Sequence, residues 1–496
     1  MKYLVGENVF TFNSGTEFSQ FERLNAFNDN NEDTVILLRN YNRMLSNELK
    51  KHGLKQKDVI NMYDFFQGTV RTKRKQQSLR LLDEIPLKDY HIVGIDNNHS
   101  NIEYKGKKIA DIRVMPGTVG LIGSIEYYDS LGQSAVKEYW DWRGFKSMVE
   151  TYHPDGSVAM QQYLNPEGKP VLEVTHMYIG KQVLPTMWKL LDYKGRDWQF
   201  RTENQLFTFF LNEINNANPG TFISDRRTLD SSVLNVQGAD KRIAYLHSVP
   251  FANYRHPQRG LMNIYQTAIN GENGKEFDTV VVPTSDLATE IKKLATSSSK
   301  VLAAPDSYVK KAKKAKKLND DIVVAYVGRL AEEKDILTLV RAFKHIHAQL
   351  PQARLKLQGY FSGPDYRNKV EDLIKKSELS DVVDVVPYDP QKTVLDDATI
   401  FLNASLSEGF GMNMLESLGK GVPVITFDAR YVKKNLIKDN VNGYNVTKTT
   451  PNGLADKAIS VLQNSDLYER LSQGAIATAK GHDEEAFMNS WKQVLN

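Results

Sequence analysis

Two carboxylates, Glu408 and Glu416, flank a glycine-punctuated turn in Ala404-Ser405-Leu406-Ser407-Glu408-Gly409-Phe410-Gly411-Met412-Asn413-Met414-Leu415-Glu416-Ser417. The segment reads as strand, tight turn, then helix. Gly409 and Gly411 let the backbone approach a ligand closely. The free N–H groups at the start of the helix, across 409–413, point at an anion with the positive end of the helix dipole behind them. The chemistry this suits is a cradle for phosphate or sugar oxygens, with both carboxylates bordering one pocket at the C-terminal edge of a sheet.

A second constellation is Tyr326-Val327-Gly328-Arg329-Leu330-Ala331-Glu332-Glu333-Lys334-Asp335, again a strand end followed by a turn and a helix. Arg329 and Lys334 put two cations beside that strand end. They suit an anionic ligand, although in isolation they read better as surface partners of Glu332 and Glu333. Nearer the N-terminus, Gly15 occupies a turn between a strand and a helix, and His247 ends the apolar run Ile243-Ala244-Tyr245-Leu246.

The spacing from Glu408 to Glu416, followed by Gly421-Val422-Pro423-Val424 on the next strand, resembles glycosyltransferase family 4. The resemblance implies a GT-B fold and a retaining transfer from a nucleotide sugar. In it Arg329 and Lys334 hold the donor diphosphate, Glu408 and the turn formed by Gly409, Phe410, Gly411, Met412 and Asn413 orient the sugar, and Glu416 accepts from the ribose hydroxyls. Gly15 lies near the reacting sugar, and His247 contacts it. Tyr388 takes the place that recognises the base, although this chain has Pro387-Tyr388 where a Gly is usual. A leaving nucleoside diphosphate develops negative charge, which two fixed cations can offset in place of a metal. The chain contains no Asp-x-Asp, so no metal and no cofactor is expected. Front-side departure and attack, with the leaving phosphate taking the acceptor proton, then need no protein nucleophile.

Asn13-Ser14-Gly15-Thr16-Glu17-Phe18, Leu246-His247-Ser248 and an aromatic middle region narrow the resemblance further. They look like poly(glycerol-phosphate) α-glucosyltransferases of wall teichoic acid and the glycosyltransferases of the accessory Sec system. The resemblance implies transfer of glucose or N-acetylglucosamine from a UDP-sugar to a cell-surface polymer, poly(glycerol-phosphate) teichoic acid first. Ser-rich adhesin is the alternative protein acceptor. A reading of another class is a non-catalytic, substrate-binding partner in a glycosyltransferase complex, but the paired cations and carboxylates argue against it.

These residues need α/β elements to position them. A βα unit opens the chain, with a strand over 2–9 and a helix from about Glu17, followed by a strand at Thr34–Leu38 and a helix over 41–52. From about 70 to 200 the texture becomes aromatic and β-branched. It is broken by Asp129-Ser130-Leu131-Gly132, Pro154-Asp155-Gly156 and Pro166-Glu167-Gly168, which punctuate hairpins of an antiparallel meander. Alternation resumes from 201, and a second alternating series begins with a strand over 322–327. The expected organisation is two Rossmann-like lobes facing a cleft. The N-terminal lobe occupies 1–70 and 201–317, the inserted meander 71–200, the nucleotide-sugar lobe 318–480, and a C-terminal helix 481–496. In the resemblance the meander serves oligomerisation, with the same chain or another, or acceptor binding.

At 496 residues, 41% hydrophobic and 25% charged, the chain fits two or three ordinary globular domains. With no cysteine, disulfides, zinc thiolates and thiol nucleophiles are excluded, in accord with a reducing compartment. The first ten residues contain Glu7 and lack a long apolar run, so neither a signal peptide nor a membrane span is expected there and the protein reads as cytoplasmic. Six lysines, Lys310, Lys311, Lys313, Lys314, Lys316 and Lys317, fall in eight residues. The run reads first as a solvated helical linker. Its functional alternative is contact with a polyanionic acceptor or with anionic lipid at the inner face of the membrane. No aromatic or Gly-rich nucleic-acid signature accompanies it, so nucleic acid is not an expected partner.

Overall fold

In the computed structural model, described here for residues 1–75, 85, 88–389 and 392–496, the chain forms two compact units. The first comprises Met1–Thr11, Thr34–Phe222 and Ser231–Asp240, and the second Phe12–Asp33, Ile223–Asp230 and Lys241–Asn496.

In the first unit the strands Lys2–Gly6, Thr34–Leu38 and Val59–Asn61 pair in parallel, with Leu4 opposite Ile36 and Leu37 opposite Ile60. Thr34–Leu38 is buried along its whole length, as expected of a parallel strand covered on both faces. The expected helix over 41–52 is shorter, Leu45–Lys51, because Asn42 is used as a turn residue. Its Oδ1 accepts from the Met44 amide and its Nδ2 donates to Asn8 and the Val9 carbonyl.

The middle region is a ten-stranded antiparallel sheet in strict sequence order, from His91–Asp96 to Arg196–Phe200. Its hairpins turn where the Gly signals stand, and Gly132, Gly156 and Gly168 all take positive φ. Residues 76–84, 86 and 87 of the expected insertion lie outside the described residues.

The second unit holds the parallel strands Lys241–Tyr245, Thr279–Val282 and Lys300–Ala303, the helix Gly15–Asp29, and a six-stranded parallel sheet. In chain order that sheet consists of Val323–Val327, Arg354–Gly359, Val383–Pro387, Ile400–Asn403, Val424–Phe427 and Gly443–Val446. In space the third strand lies beside the second, the second beside the first, the first beside the fourth, and then come the fifth and sixth. This is the doubly wound order 3-2-1-4-5-6, in which the direction of winding reverses between the first and fourth strands. The helices Ile336–Gln349 and Pro451–Leu462 pack their apolar faces onto it around Leu339, Phe343, Leu355 and Phe401, all fully buried.

The lysine run is not helical. Residues 310–317 form an irregular strap. Like charges at helical i,i+3 and i,i+4 spacing repel, and the strap's backbone finds partners elsewhere. The Lys313 amide donates to the Gly419 carbonyl at 2.8 Å and the Lys316 amide to Ser472 Oγ at 2.7 Å.

Candidate active site

Open α/β sheets bind ligands outside the carboxyl ends of the strands, where the winding reverses. In this sheet that point lies between Val323–Val327 and Ile400–Asn403, and both constellations singled out in the sequence begin there. Val327 is followed by Gly328 and Arg329, and Asn403 by the turn that carries Glu408. A side chain ties the two loops together: Asn413 Nδ2 donates to the Val327 carbonyl at 2.9 Å.

Across the same junction Lys334 Nζ lies 2.6 Å from Glu408 Oε1, joining residues 74 positions apart in sequence. Both side chains are largely buried. Lys334 ends a short 3-10 turn, and Asp335, at φ 48°, caps the next helix through Oδ1 accepting from the Thr338 amide at 3.2 Å. Arg329 forms an exposed ion pair with Glu333. Such pairs contribute about 0–1 kcal/mol, so little opposes its re-aiming toward a phosphate.

Gly411, at φ 90°, precedes the helix Met412–Gly419, leaving the first amides of that helix without partners in it. Glu416 stands one turn along the helix and is accessible to solvent. Enough protein surrounds its carboxyl that burial pushes its pKa above the ordinary carboxylate range, an effect that Lys420 and the Thr393 hydroxyl offset in part. Phe410 turns the other way. It is buried, and it lines a cavity of about 310 Å³ with Pro283, Thr284, His482 and Phe487.

Residues from the earlier part of the chain meet this loop inside the same unit. A Cβ on Gly409 would stand 2.4 Å from the His247 carbonyl oxygen, so the residue after Glu408 must be glycine for the loop to rest on that strand end. Gly15 faces Met412, whose sulfur would be 3.8 Å from an added Cβ. The turn before Gly15 is held by the Tyr360 hydroxyl donating to the Asn13 carbonyl at 2.9 Å, and by the Ser14 amide donating to Glu17 at 2.9 Å. Tyr388 joins an aromatic group, its ring centroid 6.2 Å from Phe12 and 5.9 Å from Phe18, and its hydroxyl is in the field of Glu416. Gly15, His247, Glu408, Gly409, Met412, Asn413 and Lys334 are thus brought together. Tyr388 and Glu416 border them, Arg329 is engaged with Glu333, and the Phe410 side chain is buried in the neighbouring cavity.

His247 is clamped. Its Nδ1 lies 2.6 Å from Asp306 and its Nε2 2.9 Å from Asp225. An ionised carboxylate only accepts, so two of them around one ring favour donation from both nitrogens, the arrangement of the imidazolium. Burial by itself would lower its pKa, but the Asp306 and Asp225 carboxylates outweigh that and raise it. Asp225 in turn accepts from buried Arg23 at 2.5 Å and from Gln20 at 2.7 Å. Arg23 lies 4.8 Å over the Tyr245 ring. Burial disfavours the Asp225 carboxylate, yet Arg23 and His247 hold its pKa below the usual value.

Asp225, Asp306, Arg23 and Arg226 were not singled out in the sequence. Arg226 pairs with Glu17 and donates to Ser14 Oγ at 3.0 Å, placing a further cation beside the Gly15 turn. The available signal was that Asp225 directly follows the strand Thr221–Ser224, a position at a sheet's ligand-binding edge.

The fold is an α/β GT-B architecture with an inserted antiparallel sheet, and its ligand edge carries paired cations and carboxylates. Comparison with known proteins agrees with that architecture. Residues 309–478 match the family of glycosyl transferases group 1, and residues 90–184 match the GtfB middle domain. A poly(glycerol-phosphate) α-glucosyltransferase of Bacillus subtilis is 23% identical over 60% of this chain. That alignment spans 44% of the relative, less than half of its length. Among solved structures, S. aureus TarM in complex with Fondaparinux, α-GlcNAc-glycerol and UDP superposes with a TM-score of 0.83 at 19% identity. The match covers 100% of this chain and 99% of that one. The pneumococcal O-GlcNAc transferase GtfA, solved with UDP and GlcNAc, gives 0.83 at 19% identity, covering 100% and 98%. Both likenesses concern the fold.

Proposed function

We propose that this chain is a glycosyltransferase that moves glucose or N-acetylglucosamine from a UDP-sugar to a cell-surface polymer, poly(glycerol-phosphate) teichoic acid. The observation that carries the reading is the Lys334–Glu408 pair at 2.6 Å, which joins both loops of the winding-reversal point. A UDP-sugar needs a cation at its diphosphate and an acceptor group at its sugar hydroxyls, and this pair presents both at one place.

In this reading Lys334 and a re-aimed Arg329 offset the charge that develops as UDP leaves, so the reaction needs no metal ion. The amides of 409–413 and Glu408 orient the sugar, Glu416 accepts from the ribose hydroxyls, and Tyr388 stacks on the base. His247, held as an imidazolium, sets a fixed positive charge at the strand end against which Gly409 rests. The anomeric carbon keeps its configuration. The bond from that carbon to UDP breaks on the face where the acceptor oxygen bonds, and the acceptor proton passes to the departing phosphate. The B. subtilis relative favours the teichoic-acid acceptor; the GtfA likeness keeps a Ser-rich protein as the second reading. The antiparallel sheet serves association with another chain or acceptor binding, and the enzyme works in the cytoplasm, in peripheral contact with the membrane. Among the described residues no helix is long and apolar enough to cross one.

Incubation with radiolabelled UDP-glucose or UDP-N-acetylglucosamine, offered poly(glycerol phosphate) and a Ser-rich polypeptide separately, tests this. Label in the phosphate polymer is the expected result. Label only in the polypeptide selects the second reading, and label in neither defeats both.

A further inference from the structure

The lysine strap is the one motif of the sequence that the donor site does not use. Its six charges in eight residues exceed the +4 net charge of the entire chain, so the strap is a local feature and not a share of general basicity. It divides into two kinds of lysine. Lys316 is structural: its Nζ donates to the carbonyls of Asp396 at 2.8 Å, Ala398 at 2.9 Å and Leu395 at 3.3 Å. Lys310, Lys311, Lys313, Lys314 and Lys317 are exposed, and none of them forms a salt bridge with a described residue.

The backbone that carries these five lysines is anchored. The strap is tied down by the Val309 amide to the His482 carbonyl at 2.8 Å, by Lys313 to Gly419, and by Lys316 to Ser472. A Cβ on Gly421, which has φ 72°, would meet the Lys314 carbonyl oxygen at 2.8 Å, so the turn after the donor-site helix is shaped to receive the strap. At its other end Lys310 lies in the field of Glu22, as does Glu416, so the strap begins near the donor site. Five lysines without salt-bridge partners on an anchored backbone fit a chain of regularly spaced negative charges, whose condensed counterions are released on binding. An amphipathic bilayer site pairs its basic residues with large apolar side chains on the same surface, and among the described residues no exposed large apolar side chain falls within 305–320.

We propose that Lys310, Lys311, Lys313, Lys314 and Lys317 form an exosite that binds a linear phosphodiester polymer outside the donor pocket and keeps the acceptor beside it. The inference rests on the polymer-acceptor reading, but its test reads binding and not transfer. End-labelled poly(glycerol phosphate) is titrated by fluorescence anisotropy, over a series of salt concentrations, into the full chain and into a variant with these five lysines changed to Gln. UDP titration by calorimetry on both proteins serves as the control. The expected result is at least tenfold weaker polymer binding by the variant at low salt. Its slope of log affinity against log salt should be shallower by roughly three to four, about 0.7 for each phosphate that a lysine no longer neutralises, with UDP binding unchanged. Equal affinity and equal slope for the two proteins overturn the exosite. So does a variant that still binds polymer but no longer co-sediments with vesicles of phosphatidylglycerol and phosphatidylcholine, which would make the strap a membrane contact. If UDP binds neither protein while the polymer result stands, the donor reading fails and the exosite survives.

Discussion

His247 has no free ring nitrogen, and this decides what the residue can do. It cannot exchange a proton with a substrate while Asp225 and Asp306 hold both nitrogens, so its contribution is charge and position. The pair of carboxylates makes its pKa higher in the folded chain than the ordinary value of 6.5. A raised folded pKa means stability that is fully present below the unfolded value and lost as pH rises through the folded one. Urea midpoints measured from slightly acid to alkaline pH should therefore fall across that window in the native chain and fall less in Asp306→Asn. An equal pH dependence in both proteins would contradict the clamp. Asp225→Asn leaves Arg23 buried without its carboxylate and should cost about 3–5 kcal/mol.

At the scale of elements, the site exists because two loops leave adjacent strands at the reversal of winding and a third strand end supports one of them. Gly409 is the hinge of that arrangement. Gly409→Ala must push the loop off the His247 carbonyl, and overpacking of this kind costs about 1–3 kcal/mol. The variant should stay folded by circular dichroism while its UDP affinity falls at least tenfold. Native affinity would mean that the loop need not rest there. The sequence made much of this legible: the strand Thr34–Leu38 and the strand that opens the second alternating series, Val323–Val327, stand where their residue patterns place them. Paired glycines and a strand-end Glu are local signals, which one sequence can carry. What it could not carry was distance. The Lys334–Glu408 pair and the Asp225–His247–Asp306 clamp join residues 74, 22 and 59 positions apart, through a topology that no local pattern encodes. The strap misled for a related reason, since its conformation is set by Gly419 and Ser472 and not by its own lysines.

At the scale of the molecule, the antiparallel sheet carries an apolar surface that it does not cover itself. Met177, Ile179 and Leu184 are 54%, 55% and 42% exposed, and Met177 pairs directly opposite Leu184 on the neighbouring strand. Side chains two apart on one strand share a face, so the three form one patch, the kind of surface that marks an interface. The reading of this sheet as an association surface predicts an oligomer by light scattering that becomes monomeric in Met177→Lys/Leu184→Lys, with UDP binding retained. A native monomer would leave the sheet to acceptor binding alone. The donor site itself is tested by calorimetric titration of UDP into the native chain and into Arg329→Ala/Lys334→Ala, in chelator-treated buffer. The native chain should bind UDP saturably without metal. The variant should lose about tenfold or more in affinity, since a hydrogen bond to a charged group is worth about 1.5–3 kcal/mol. Equal affinity for the two proteins, or no binding to the native chain, would contradict the donor reading.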